Sequence, residues 1–297
     1  MAFSVPFGRG LLAFEVPPGF STQVLESVST APVVDVNAAI EGALQRPVAG
    51  PRLREIARSI DRVAIVVTDI TRDCPDDLLV PYLLDELACA GVPDDQITVV
   101  IGIGLHRPST PAEREEMLGK AVVERVRVVD PDPLDPAQVV DLGLTVGGVP
   151  ATISRLVHES DLVVATGVVE PHQYAGYSGG RKTVAIGCGG ERTIEFTHAP
   201  AMLDHPRVRL GVVEGNPFHE AVSEIAQRVG LRFIINVVMS DDGQIVSVQA
   251  GEPAATFDSL VSVARAQFTV PLDDQVDLAV AGVGYPKDSN LYQASRA

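Results

Sequence analysis

The segment Glu170–Lys182, EPHQYAGYSGGRK, gathers His172, a serine hydroxyl at Ser178, three glycines and the cations Arg181 and Lys182 in one short loop. Glycines let a backbone turn at positive φ and approach a ligand closely, while cations attract an anionic group. The loop therefore reads as a site for a phosphorylated molecule, with His172 suited to proton transfer or metal ligation. Two further segments have the same character. DITRDCP (69–75) joins the Asp69 carboxylate, the Thr71 hydroxyl and the Arg72 guanidinium; GLHRPST (104–110) supplies His106 and Arg107. Each also has a plainer reading. Asp69 could cap the next helix with Arg72 paired to it, and Ser109 or Thr110 could cap PAEREEM.

Near misses bound the chemistry. Gly176-Tyr177-Ser178-Gly179-Gly180 matches the GxSxG pattern of serine hydrolases, but the preceding apolar run ends near Gly167 instead of at the motif. The loop also resembles Walker A, with Arg181 where the second glycine belongs. Of the six histidines, His106 and His172 end apolar runs, and His198 follows a helix-like stretch. His158 and His219 fit surface or capping positions, and His205 a loop. Three histidines could in principle hold zinc, yet no closely spaced HxxxH pair occurs.

Apolar runs at 62–70, 97–104, 125–129, 161–167, 208–213, 231–239 and 276–284 alternate with amphipathic segments such as 75–91 and 217–230. Continuous apolar strands covered on both faces, separated by helices, predict a Rossmann-like, doubly wound, mostly parallel α/β sheet. Gly-Arg-Gly between two apolar runs at the start predicts an N-terminal β-hairpin. Ligands of such sheets bind beyond the carboxyl ends of the strands, and there the loops at 69–75, 104–110 and 170–182 converge. The expected organisation is an N-terminal cofactor-binding and catalytic domain over 1–270, with 271–297 beginning a second, truncated α/β domain.

A charge of −16 with pI near 4.7 argues against nucleic acid or anionic membrane as a partner, so an anionic ligand needs a local cationic pocket. No run of about 18 apolar residues suggests a membrane span. Cys74, Cys89 and Cys188 form no framework, and with no leader recognised a cytoplasmic setting is expected.

Taken in order, DITRDCP, GLHRPST, EPHQYAGYSGGRK and ERTIEFTH (191–198) resemble the lactate racemase family, whose members depend on a nickel-pincer nucleotide. The resemblance extends to NLYQASR (290–296). It implies racemisation or epimerisation of a small 2-hydroxy acid by reversible hydride transfer to a pyridinium mononucleotide that carries nickel. By motif, Lys182 would be the lysine that can join the cofactor covalently, and His198 the nickel ligand. His106 and His172 would be the acid/base pair. Asp69, Thr71, Arg72, Ser178, Gly179 and Gly180 would hold the cofactor, and Arg72, Gln293 and Arg296 the substrate. Arginine stands at 296 where the family pattern has lysine, which implies a substrate other than lactate. A module that binds the nucleotide without catalysis, a serine hydrolase and a homo-oligomer are left open.

Overall fold

Gly8, at φ +57°, lets two apolar strands fold back on each other. β1 (Ala2–Gly8) pairs antiparallel with β2 (Gly10–Glu15) from Phe7↔Gly10 to Ala2↔Glu15, giving the expected hairpin. The computed structural model describes residues 2–26, 28, 30–272, 274–285, 288 and 291–294, without the side chains of Tyr292 and Gln293. Two compact units result: Met1–Val28 with Phe268–Ala297, and Ser29–Gln267. In the first, Val283–Gly284 lies parallel to β1. The strand expected over 276–284 is therefore corrected to those two residues, and Val276, Leu278 and Val280 are exposed.

The second unit holds a six-stranded sheet: β3 (Val63–Thr68), β4 (Ile97–Gly102), β5 (Arg127–Val129), β6 (Leu162–Val168), β7 (Leu231–Met239) and β8 (Ile245–Gly251). Its order is β8-β7-β6-β3-β4-β5, parallel except for the β7–β8 pair. The chain runs outward from β3 to β5, returns to β6 beside β3, and runs outward again to β8. That reversal makes β3 and β6 the topological switch point of a doubly wound sheet. Their pairing ends at Val66↔Ala165, two residues before β3 ends. Residues 208–213, expected as a strand, form turns. Gly211 at φ +72° breaks the extended backbone there, and Gly211 N–H bonds the Gly176 carbonyl at 3.0 Å.

One face of the sheet is filled by large side chains. Ile65, Val67, Ile101, Val164, Phe233 and Ile235 pack with Ile40 and Leu44 of α1 (Val36–Gln45) and with Leu79, Leu83 and Leu87 of α2 (Asp76–Cys89). The i, i+4 spacing of those leucines places them on one helical stripe, and each contributes roughly 2 kcal/mol by burial. The other face is cut away by glycines. A Cβ on Gly167 would stand 2.8 Å from Gly180 N, and one on Gly187 would stand 2.8 Å from Gly102 Cα. Backbone thus lies directly on backbone, and the segment 179–187 sits flush on the strand ends. Within it, Thr183–Gly187 forms a π-helical turn, a feature frequent at functional sites.

Asp76, 1% exposed at the start of α2, is held by the Thr68 hydroxyl and the Cys74 thiol, both at 3.3 Å. Burial outweighs these hydrogen bonds and pushes its carboxyl up to about 7 from 3.8. Between those values the folded state binds more protons than the unfolded one, so stability falls as pH rises through the interval. Asp76→Asn cannot ionise. Its stability relative to the parent is expected to improve by on the order of 3 kcal/mol from pH 4 to pH 8. Urea unfolding at both pH values checks this; a constant difference would refute it.

Candidate active site

Beyond β3, the chain turns at Asp69, whose side chain is 7% exposed, and Arg72 N–H bonds the Asp69 carbonyl at 3.0 Å. The Thr71 hydroxyl donates to Asp69 Oδ1 at 2.7 Å, and Asp69 Oδ2 pairs with His106 Nδ1. Burial works to raise the Asp69 pKa. The His106 hydrogen bond and charge, the Thr71 hydroxyl and the Arg72 charge outweigh it and hold the carboxyl below its usual value. An ionised carboxylate only accepts, so His106 carries a proton on Nδ1, and in the neutral ring Nε2 is the unprotonated nitrogen.

His106 is delivered by β4 through Gly104, at φ +56°, whose N–H bonds the Gly187 carbonyl at 2.8 Å. Arg107, exposed, pairs with Glu113 and turns toward the next helix. Thr110 caps that helix, Pro111–Leu118, in a capping box with Glu113, so the plainer reading of the 104–110 segment is correct for Thr110. Ser109 instead bonds Asp130 at 2.8 Å.

Beyond β6, Pro171–His172 pairs antiparallel with Gly176–Tyr177 to form a tight hairpin. His172 Nδ1 accepts from the Tyr174 and Ala175 N–H groups, each at 3.2 Å, which puts the proton of the neutral ring on Nε2. His198 sits at the C-cap of α3 (Glu191–Thr197). Its Nδ1 lies 2.9 Å from the Ile194 carbonyl, which can only accept, so the unprotonated nitrogen is Nε2. The Thr197 hydroxyl is 3.1 Å from the same Nδ1.

His172 and His198 share one aromatic cluster with Tyr174 and the wholly buried Phe218, which lies on α4 (Pro217–Arg228). Ring centroids are 6.4 Å apart for His172–Phe218, 5.4 Å for His198–Phe218 and 5.7 Å for Tyr174–His198. Asn216 caps α4 and ties the cluster together. Its Nδ2 donates to the Tyr174 and Val212 carbonyls, both at 2.8 Å. Tyr174, Asn216 and Phe218 escaped the sequence reading, although Asn-Pro before an amphipathic run is a helix-start signal for Asn216. The His106 and His198 arms meet through Gly104, where a Cβ would lie 3.9 Å from Ile194 Cδ1.

Ser178 serves the loop itself. Its hydroxyl donates to the Val168 carbonyl at 2.7 Å and accepts from Glu170 N–H at 3.1 Å, and its N–H bonds the Glu170 carbonyl at 2.9 Å. A hydroxyl engaged this way is no activated nucleophile, which removes the support for a GxSxG hydrolase. Gly179, at φ +145°, and Gly180 continue into the short helical turn with Arg181 and Lys182, and Lys182 is half-buried. Gln293 and Arg296 lie outside the side chains the structure describes. Among the described residues no helix is long and apolar enough to cross a membrane, and no group of three or more His, Cys, Asp or Glu could hold a metal ion. A metal here would need most of its ligands from a cofactor, with His198 Nε2 as a single protein donor. The Nδ1–carbonyl bond would orient the ring for such a role.

Comparison with known proteins places this arrangement. Residues 7–211 match the lactate racemase N-terminal domain. The chain is 32% identical over 256 residues to lactate racemase of Lactiplantibacillus plantarum, covering 86% of this chain and 60% of that protein. It is 30% identical over 298 residues to lactate racemase of Thermoanaerobacterium thermosaccharolyticum, covering 98% and 68%. The chain thus spans about 60–68% of the length of these curated relatives. The solved lactate racemase apoprotein of T. thermosaccharolyticum superposes with a TM-score of 0.85 at 28% identity, covering 99% of this chain and 69% of that one. A Thermotoga maritima protein at 22% identity and TM-score 0.64 shares the fold, covering 80% of this chain and 59% of its own. By the matched domain and these relatives, the chain belongs to the lactate racemase family.

Proposed function

We propose that this chain carries the cofactor-binding and acid/base part of a 2-hydroxy-acid racemase that uses a nickel-pincer nucleotide. The observation that carries the reading is the hydrogen bonding of three rings, which in their neutral forms leaves Nε2 unprotonated on His106 and His198 and puts the proton on Nε2 of His172. His198 Nε2 suits the nickel, Lys182 the covalent anchor, and Arg72 with Gly179 and Gly180 the phosphate. When bound, the cofactor supplies a hydride acceptor for C2 of the substrate.

His106 Nε2 takes the hydroxyl proton as C2 is oxidised, and the Asp69 carboxylate stabilises the imidazolium that forms. His172 gives its Nε2 proton to the oxygen when hydride returns to the opposite face and takes one back from solvent at the same nitrogen, while the Tyr174 and Ala175 N–H groups stabilise the electron density on Nδ1. His106 passes its proton to solvent, so both rings end as they began. Tyr174 and Phe218 wall the site with apolar surface and exclude water around His172 and His198, which strengthens electrostatic contacts there. A small 2-hydroxy acid is the proposed substrate class, with Arg72 proposed for its carboxylate.

The test is intact mass and metal content of protein made together with the cofactor pathway. A mass gain on Lys182 and bound nickel are expected, and His198→Ala should lose the nickel. Nickel undiminished in that variant would refute the ligand assignment. Nickel with no turnover of any 2-hydroxy acid would reduce the chain to a nucleotide holder.

A further inference from the structure

At the switch point the two central strands part, and one buried carboxyl meets both of them. β3 and β6 pair as far as Val66↔Ala165, and β3 then continues with β4 alone to Thr68↔Gly102. Asp76, the first residue of α2, is 1% exposed at this place. From β3 the Thr68 hydroxyl donates to its Oδ2 at 3.3 Å. From β6 the wholly buried Thr166, one residue past the last pair, faces the same carboxyl. The Cys74 thiol donates to Oδ1, also at 3.3 Å, and Asp76 N–H bonds the Cys74 carbonyl at 2.8 Å.

Thr68 and Cys74 stand at the two ends of the segment 69–73, so a single carboxyl closes that segment at both ends. Ile70 and Cys74 pack on the core beneath it, while Asp69 and Thr71 bond each other at 2.7 Å above. Arg72 N–H closes the turn on the Asp69 carbonyl, and Asp69 Oδ2 pairs with His106. A continuous chain of hydrogen bonds and short backbone links thus runs from Asp76 to the His106 ring.

Among the described residues no Lys, Arg or His forms an ion pair with Asp76, so it does not serve as a counter-charge. Burying a carboxyl without a cation is costly, and an apolar side chain would fill the space at lower cost. What only a carboxyl does here is bond the start and the end of the loop at once, and a satisfied buried network fixes geometry. We propose that Asp76 is a positioning residue: its carboxyl ties Thr68 to Cys74 and so holds Asp69 in place against the His106 ring. The proposal rests on the acid/base role given to His106 above, and the contact it explains can be read in the protein without cofactor.

The experiment combines nitrogen-15 histidine NMR with amide hydrogen exchange on the cofactor-free chain. Asp76→Asn keeps polar atoms on both sides of the group, whereas Asp76→Leu has the same branched skeleton and none. In the parent and in Asp76→Asn, the neutral His106 ring, identified by the signal lost in His106→Gln, is expected in the single Nδ1–H form. In Asp76→Leu a mixture of the two tautomers is expected. Exchange at the Arg72 amide should also quicken about tenfold beyond any change at Val99 and Val100 of β4. A role in stability alone would quicken loop and sheet together. Acceleration at Arg72 no greater than at Val99, or an unchanged His106 tautomer, would overturn the proposal. Should Asp76→Leu fail to fold, Thr68→Val combined with Cys74→Ala removes both donors, leaves the carboxyl and is judged by the same two outcomes. A parent ring lacking Nδ1–H would refute the acid/base reading and not Asp76, which the Arg72 exchange then decides.

Discussion

Replacing His106 with alanine is expected to lower racemisation roughly 10²–10⁴-fold while nickel content and folding stay intact. The side chain is 38% exposed at the end of β4, so little packing is lost with it. What is lost is the Nε2 lone pair that Asp69 secures. Asp69→Asn should come close to the same loss by a different route. The Thr71 hydroxyl donates to Oδ1, so an asparagine would keep its oxygen there and turn its NH₂ toward His106. That NH₂ would donate to Nδ1, move the ring proton to Nε2 and occupy the position where the base must act. Chiral chromatography of a 2-hydroxy-acid panel, with metal content measured in parallel, reads both variants. Retention of more than about a tenth of parental turnover in His106→Ala would sink the acid/base assignment.

Gly176→Ala is expected to be the most damaging single methyl in the loop. Gly176 has φ +77°, and its Cβ would fall 2.2 Å from the Val212 carbonyl oxygen. That oxygen cannot easily withdraw, because Asn216 Nδ2 holds it at 2.8 Å while capping α4. The backbone conformation costs about 1–2 kcal/mol and the clash about 1–3 more, so Tm should fall by about 10 °C. His172 pairs directly with Gly176 and should be displaced with it. Gly243→Ala is the control: φ is +76° but nothing lies within 4 Å, so only the conformational cost of roughly 1 kcal/mol applies. Equal melting of the two variants by calorimetry would show that the contact with Val212 is not rigid.

The sheet was legible because its strands are buried on both faces and read as unbroken apolar runs; Val63–Thr68 lies within its expected span, 62–70, and Leu162–Val168 overruns 161–167 by one residue. Residues 208–213 have the same composition, but the glycine at 211 adopts a conformation no strand allows, and composition alone does not say which glycines do so. The Asp69–His106 contact was legible only as two loops converging at strand ends, since it joins residues 37 apart in sequence. The aromatic cluster was hidden for the same reason. Phe218 reads as an ordinary core residue of an amphipathic helix until the fold sets it against His172 and His198. Proton placement on the rings was out of reach, because it depends on backbone atoms such as the Ile194 carbonyl.

Where Gly102 and Gly187 touch, the end of β4 and the π-helical turn have no side-chain cushion between them. Gly104, two residues past that contact, is bonded to the Gly187 carbonyl, and His106 follows at once; Lys182 opens the other end of the same turn. Lys182 and His106, the proposed anchor and base, therefore stand at the two ends of one stiff lever. A strain introduced at Lys182 would be passed on to His106 with little to absorb it in between. Substrate specificity can drift at side chains around the cleft, but the fulcrum at 102 and 187 tolerates no methyl group.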